Sequence, residues 1–270
     1  MNLSLTVKIG QIKISFLCPS KEWHSFIIRN YRPFLAGSGG SAAFRVVIER
    51  GIRAPALCGE LKVQRAADVW QISRYDFWSR SSFAFRDTSL SVEKNKYAFD
   101  SWLRVFFTLC GASSQTLLLH GAGYGSKSGV FVFPGRSGKG KSTLIRMLGR
   151  TGALSDELVC VFKKGGGFFA ASTPFWGELK KGTRRPFSGR IRKLVFLEHG
   201  TENRLDKATL RDSVINVLKT ALFFSREKRH VNYLLAYAQA LANRVPPRVL
   251  TFRKDLKRNE LLKILNREDA

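Results

Sequence analysis

The sequence predicts a mixed α/β protein in two parts, and three patterns support this. In residues 1–96, apolar side chains recur at every second position in short runs that turns interrupt, as in strands. Over residues 96–110 the apolar spacing becomes helical. After residue 116, strands and helices alternate, as in α/β domains. We therefore expect a β-rich N-terminal domain, 1–96, and a second domain, 97–270, with residues 97–111 as the connecting helix.

The N-terminal domain is predicted to consist of short strands. Residues 3–7 and 12–16 alternate apolar and polar side chains, and Gly10-Gln11 between them indicates a hairpin turn. Residues 23–31 fit either a strand or a short helix. Further strands are predicted at 43–49, 61–63, 69–75, 82–86 and 90–92.

The second domain is predicted to alternate between strands and helices. Its strands are expected at 116–119, 130–133, 158–162, 168–171, 191–198 and 248–252. Its helices are expected at 141–149, 207–224, 228–243 and 255–266.

Composition excludes several classes of protein. With 44% hydrophobic and 24% charged residues, the 270-residue chain is typical of soluble globular proteins. Its apolar runs are shorter than the roughly 20 residues of a membrane-spanning helix. The four cysteines, at positions 18, 58, 110 and 160, lack C-x-x-C spacing. This spacing favours reduced thiols in a cytoplasmic protein over disulfides or a zinc site.

The charge is unusual, with 46 basic and 20 acidic residues and a net charge of +26. Such a field favours polyanionic partners, namely nucleic acid, an acidic peptide or an anionic membrane surface, although general solubility is the alternative explanation. Six aromatic residues of the N-terminal domain would stack on bases if nucleic acid were the partner, but are expected to fill the core. They are Trp70, Tyr75, Phe77, Trp78, Phe83 and Phe85.

Residues 135–142, GRSGKGKS, fit the phosphate-loop pattern G-x-x-x-x-G-K-[ST]. A buried strand is predicted before the loop and a helix after it, which is the context that the pattern requires. Backbone N–H groups of such a loop surround a phosphate, and the helix N-terminus adds a partial positive charge. The expected phosphate-binding residues are Gly135, Arg136, Ser137, Gly138, Lys139, Gly140, Lys141, Ser142 and Thr143.

The loop residues predict binding of ATP and Mg²⁺. Lys141 is expected at the β- and γ-phosphates, and the Ser142 hydroxyl is expected to bind Mg²⁺. Arg136 and Lys139 are either phosphate contacts or solvated charges, and Thr143 either touches a phosphate or packs.

A phosphate loop needs an acidic partner, and the chain offers two candidates. Asp156-Glu157 stands 15 residues after Lys141, and Glu198 ends the apolar run 194–197. We favour the paired acids, because one can hold the metal while the other accepts a proton. His120, at the end of a predicted strand, is expected to face the ligand crevice.

These motifs together resemble HPr kinase/phosphorylase. The similarity rests on Leu119-His120-Gly121, on the loop 135–143 and on the sequence LSDE at 154–157, in that order and spacing. The sequence most resembles short HPr-kinase-like proteins of ribosomal-peptide clusters, of the SynChlorMet cassette type. Residues 173–186 also resemble the sequences of that subgroup.

The resemblance implies a fold and a set of roles. It implies the P-loop core that HPr kinase shares with phosphoenolpyruvate carboxykinase, behind an N-terminal β-rich domain. Asp156 matches the carboxylate that deprotonates the substrate serine, Glu157 matches the second acid near the metal, and His120 matches the histidine beside the phosphates. Thr143 stands where HPr kinase has an acid, which argues against the reverse reaction, phosphorolysis.

A basic segment, 173–193, is expected to form a loop over the site. It holds seven basic residues against Glu178 alone. We expect Arg184 or Arg185 to stabilise the transferring phosphate or to capture an acidic substrate, the alternative being a solvated loop.

The sequence therefore predicts a cytoplasmic ATP- and Mg²⁺-dependent kinase. Asp156 would be the base, with Lys141, His120 and Arg185 completing the catalytic set and with Ser142 and Glu157 at the metal. The expected acceptor is a serine or threonine of an acidic peptide or small protein. A kinase acting on RNA and a non-catalytic nucleotide-binding module are the alternatives. The sequence is compatible with a homo-oligomer.

Overall fold

A computed structural model describes residues 3–37, 42–49, 59–179, 186–253 and 255–267. In these residues the chain is mixed α/β, with two sheets and six helices. It forms two compact units: Met1–Ser114 with Phe223–His230, and Gln115–Leu222 with Val231–Ala270.

Unit 1 is a seven-stranded sheet with two helices. Its strands are β1 (Leu3–Ile9), β2 (Ile12–Cys18), β3 (Phe44–Ile48), β4 (Lys62–Ala66), β5 (Val69–Arg74), β6 (Phe77–Ser82) and β7 (Asp87–Val92), in the spatial order β1-β2-β3-β7-β6-β5-β4. The helices are α1 (Lys21–Tyr31) and α2 (Lys96–Gly111). The predicted β1–β2 hairpin is confirmed, and residues 23–31 form a helix.

Side-chain caps and aromatic packing define the unit 1 helices. The Asn95 side chain accepts a hydrogen bond from the Ala98 backbone N–H, at 2.8 Å, and so begins α2. From α2, Phe99, Trp102 and Phe106 are fully buried, and the Trp102 indole donates to Ser79 of β6 at 2.9 Å. The sheet and α2 therefore share an aromatic core, which explains the density of aromatics in this domain.

The strand predicted at 82–86 is wrong. Residues 83–86 form the turn between β6 and β7, in which the Phe85 N–H donates to the Ser82 carbonyl at 2.8 Å and Phe85 has φ +57°. Phe85 is nevertheless buried and stacks on Trp70. Phe83 and Phe85 stand at alternate positions, and this spacing suggested a strand. In the structure, Phe85 is buried although it lies in a turn, so an alternating pattern here does not require a strand.

Unit 2 is built on an eight-stranded sheet. Its strands are β8 (Thr116–Ser126), β9 (Gly129–Pro134), β10 (Ala153–Ser155), β11 (Leu158–Lys164), β12 (Gly167–Ala171), β13 (Ser188–His199), β14 (Arg204–Lys207) and β15 (Pro247–Phe252). Its helices are α3 (Lys141–Leu148), α4 (Leu210–Thr220), α5 (Lys228–Arg244, in this unit from Val231) and α6 (Arg258–Asn266). The helix predicted at 207–224 is shorter than expected, and β10 and β14 were not predicted, because runs of three or four residues give little periodicity.

Strand β9 is buried on both faces. Val130 and Val132 point into a core that α4 and α5 complete, whereas Phe131 and Phe133 point into a second core against α3 and α6. A strand between two cores needs apolar residues at every position, and this explains the continuous run 130–133.

Four strands of unit 2 end at one edge of the sheet. β9 pairs in parallel with β13, and β13 in parallel with β15. β8 is antiparallel to both β9 and β10, so β10 runs in the same direction as β9. The carboxyl ends of β9, β10, β13 and β15 therefore face the same side, where open α/β sheets bind ligands.

Three cysteines in the described residues, Cys18, Cys110 and Cys160, are buried free thiols. Burial raises the pKa of the Cys18 thiol to about 11. Cys58 lies outside the described residues. None of the described helices has the length and apolar content that crossing a membrane requires.

Candidate functional site

The glycine-rich loop connects β9 to α3 at this sheet edge. Gly138 and Gly140 have φ values of +84° and +82°, which other residues rarely adopt. A Cβ on Gly140 would also lie 3.1 Å from His199 Cε1 and 3.1 Å from Phe252 Cζ. Backbone angle and space both require glycine at the last position of the loop.

Helix α3 begins at Lys141 and points its N-terminus into the loop. Its N-cap is Gly140, and no side chain of the described residues caps it. The leading N–H groups of a helix have no partners within the helix, and they carry a partial positive charge. The loop and the helix start therefore form a site suited to an anion.

The Lys141 side chain lies buried beside this loop. Only 7% of its surface is exposed, and its Nζ donates to the Arg136 carbonyl at 2.8 Å. Burial lowers the pKa of Lys141, and the nearby Asp156, Glu178 and Glu157 partly offset that effect. A buried ammonium held by a loop carbonyl would gain from a bound anion.

The Asp156 carboxylate is buried at the site and held by hydrogen bonds. It is 3% exposed and accepts three hydrogen bonds: from the Ser142 hydroxyl at 3.2 Å, from the Gly177 N–H at 2.9 Å and from the Leu179 N–H at 3.0 Å. Three donors stabilise a buried negative charge in one orientation. The bond to Ser142 ties this carboxylate to the first turn of α3.

Residues 173–179 reach Asp156 because buried hydroxyls bind them to the end of β10 and the start of β11. The Ser155 hydroxyl donates to the Phe175 carbonyl at 2.8 Å, and the Thr173 hydroxyl donates to the Leu158 carbonyl at 2.6 Å. Ser155 and Thr173 are fully buried. The sequence Ser155-Asp156 thus builds both the carboxylate and the scaffold that supplies its amide donors.

His120 and Glu157 stand beside the loop on the same side as Asp156. The His120 carbonyl accepts from the Gly135 N–H at 3.0 Å, and the Glu157 carbonyl accepts from the Gly121 N–H at 2.9 Å. Both side chains are half-buried and line the cleft. Backbone pairing therefore fixes their positions relative to the loop.

Together these groups surround a cleft of about 590 Å³. The residues that line it are His120, Ser137, Gly138, Gly140, Lys141, Ser142, Thr143, Asp156, Glu157, Gly177, Glu178 and His199. The cleft thus combines loop amides, one buried cation and a group of carboxylates, a set that can bind a phosphate chain and a divalent metal.

Most of the site residues that the sequence predicts are brought together here. Gly135, Arg136 and Lys139 belong to the loop without lining the cleft, and the side chains of Arg136 and Lys139 are exposed. Arg184 and Arg185 lie outside the described residues. Glu198, the alternative acid, is exposed at the end of β13 and does not line the cleft.

Three cleft residues were not predicted: Gly177, Glu178 and His199. The signal for His199 was its place after the apolar run 194–197. Because side chains alternate along a strand, the residue after Glu198 faces the other way, toward the loop. Nothing in the sequence indicated Gly177, since its role depends on a backbone N–H.

The oxygen atoms of the site suit magnesium. Ser142 and Asp156 are hydrogen-bonded to each other, and Glu157 follows directly, so hydroxyl and carboxylate oxygens converge. Mg²⁺ prefers such ligands and usually keeps waters or substrate phosphates as well. Among the residues that the structure describes, no group of three or more His, Cys, Asp or Glu side chains could hold a metal on its own. A metal here would therefore share its coordination with a phosphate.

Comparison with known proteins gave no match to any family model and no match among curated proteins.

Proposed function

We propose that this protein is an ATP-dependent kinase that transfers the γ-phosphate to a serine or threonine hydroxyl of a peptide or small protein. The observation that carries the proposal is the hydrogen bond from Ser142 to Asp156, beside Lys141 and the glycine loop. In P-loop enzymes, the loop Ser or Thr and a neighbouring aspartate hold Mg²⁺ together. The resemblance to HPr kinase and its P-loop core supports the same reading.

The loop and Lys141 would bind the phosphate chain. The N–H groups at the start of α3 would surround the β-phosphate, and the Lys141 ammonium would exchange the Arg136 carbonyl for phosphate oxygens. Binding the anion would offset the cost of the buried ammonium. His120, half-buried beside Gly135, would face the γ-phosphate end.

Ser142, Asp156 and Glu157 would place the metal and the acceptor. Mg²⁺, when bound, neutralises charge on the β- and γ-phosphates. Asp156 is best suited to support Ser142 at the metal, because it already accepts a hydrogen bond from the Ser142 hydroxyl and two backbone N–H groups hold its carboxylate in that orientation. We therefore assign proton acceptance to Glu157, which reverses the roles expected from sequence.

The transfer step follows from this arrangement. The acceptor hydroxyl oxygen attacks the γ-phosphorus and forms the new P–O bond, while the bond from that phosphorus to the β–γ bridging oxygen breaks and ADP leaves. The hydroxyl proton passes to Glu157. Lys141 and the loop amides stabilise the charge on the transferred group.

The net charge of +26 favours an acidic acceptor peptide. The same charge also suits nucleic acid, so an RNA acceptor is tested alongside. The experiment offers [γ-³²P]ATP and Mg²⁺ to a library of acidic serine- and threonine-containing peptides and, in parallel, to bulk RNA.

The variants in this experiment are Lys141→Ala, Glu157→Gln and, as a matched carboxylate control outside the cleft, Glu198→Gln. Label on peptide, lost in the first two variants and retained in Glu198→Gln, is the expected result. Label on RNA instead of peptide would show that the acceptor is a nucleic acid. ATP binding without label on any acceptor would replace the kinase with a nucleotide-binding module.

A further inference from the structure

The cleft has two dissimilar sides along the sheet edge. In the order of strand pairing, Asp156 follows β10, His120 lies on β8, the glycine loop follows β9, and His199 ends β13. The carboxylates thus lie on one side of the loop, and His199 lies on the other. A phosphate chain with its metal on the carboxylate side would point its other end toward β13 and β15.

Two rings form the wall on the β13 side. His199 pairs with Phe252 across the parallel strands β13 and β15, and the centroids of their rings are 5.7 Å apart at an interplanar angle of 43°. Phe252 is 2% exposed, whereas His199 is exposed and lines the cleft. Phe252 therefore acts as a buried support for a ring whose other surface is open.

Gly140 brings this wall against the phosphate loop. Both rings come so close to the loop that a Cβ on Gly140 would meet each at 3.1 Å. The imidazole of His199 makes no hydrogen bond to any residue that the structure describes. No partner within the described chain fixes its nitrogens, and its ring packs against the ring of Phe252.

We propose that His199, supported by Phe252, is the platform on which the base of the bound nucleotide stacks. This inference rests on the proposed function, because it needs a nucleotide in the loop. A flat ring on a buried ring, beside the last loop residue and away from the carboxylates, matches the needs of a planar base. His199 therefore distinguishes a nucleotide from a bare polyphosphate.

The test compares Mg·ATP with Mg·tripolyphosphate, which has the phosphate chain without the base. Affinities of the full chain are measured by calorimetry for the wild type, His199→Ala, His199→Phe and Lys141→Ala, with circular dichroism to verify folding. We expect His199→Ala to weaken ATP binding about tenfold and to leave tripolyphosphate unchanged. His199→Phe keeps a stacking ring, so its ATP affinity stays within about threefold of the wild type.

Lys141→Ala separates the two proposals. If it weakens both ligands while His199→Ala weakens neither, the phosphate site stands and the base platform is wrong. Equal weakening of both ligands by His199→Ala would make His199 a phosphate contact and would also overturn the platform. If His199→Phe is as weak as His199→Ala, stacking is not its role. If Lys141→Ala changes neither affinity, the proposed function itself fails.

Discussion

Two buried aspartates, one in each unit, differ in the groups that donate hydrogen bonds to them. Asp76 in unit 1 is 1% exposed and receives two hydrogen bonds of 2.7 Å from Arg74. Asp156 in unit 2 is 3% exposed, but its donors are Ser142 and two backbone N–H groups, and it lines a cleft beside a buried lysine.

The two aspartates also differ in whether their charge can still interact with a ligand. The Arg74–Asp76 pair neutralises itself, and its hydrogen bonds raise the pKa of Arg74. Asp156 and Lys141 lie in one cleft without forming an ion pair, so both can still interact with a ligand. A buried charge with a complete partner indicates structure, whereas buried charges held by backbone groups around a cleft indicate a site.

The largest effect is expected at Asp156. Asp156→Asn should reduce phosphoryl transfer by about 10²- to 10⁴-fold, because the proposed metal site loses a negative charge and an NH₂ donor replaces one of the two accepting oxygens. The measurement is the transfer rate as a function of Mg²⁺ concentration. A division of labour in which Asp156 supports the metal predicts a raised Mg²⁺ requirement. Transfer lost at an unchanged Mg²⁺ requirement would return the role of base to Asp156.

At Asp76 the effect should fall on stability instead. Asp76→Asn leaves the largely buried Arg74 guanidinium without its carboxylate and should cost about 3 kcal/mol. Urea unfolding measures that cost, and transfer per folded molecule should equal that of the wild type. An Asp76→Asn variant that is fully stable yet inactive would remove the contrast between the two aspartates.

We expect the buried Lys141 side chain to lower the stability of the ligand-free protein. Burial lowers its pKa in the folded chain, so between that value and the ordinary value near 10.4 the unfolded chain binds more protons. Stability of the wild type therefore rises with pH in this window. Lys141→Met should be more stable by on the order of 1 kcal/mol at pH 7, with an advantage that narrows toward pH 10.

Thermal unfolding of Lys141→Met and the wild type across pH 7–10 measures this difference. A gap that widens with pH would contradict the assigned cause.

The smallest effect concerns an exposed ion pair next to the site. Arg146 of α3 contacts Glu178 at 3.1 Å, with half or more of each side chain exposed. A double-mutant cycle with Arg146→Ala and Glu178→Ala should give a coupling energy below about 1 kcal/mol. A larger coupling would mean that this pair, and not only the backbone N–H groups, holds residues 173–179 on Asp156.

Local patterns in the sequence were sufficient for several elements. Alternation predicted the β1–β2 hairpin, apolar spacing predicted α2, and glycines with Lys141 predicted a tight turn between β9 and α3. These features depend on backbone preferences and side-chain periods within a few residues, which any short stretch carries in itself.

Only the tertiary structure decided which residues meet. His199 reaches Gly140 because β13 pairs in parallel with both β9 and β15. Asp156 accepts hydrogen bonds from the N–H groups of residues 177 and 179 because Ser155 and Thr173 bind that segment to β10 and β11. Backbone amides carry no sequence signal, and strand order depends on packing between distant segments. The sequence by itself therefore determined the glycine loop and the position of Lys141 in it. Pairing between distant strands determined which residues, such as His199 and Asp156, lie beside that loop.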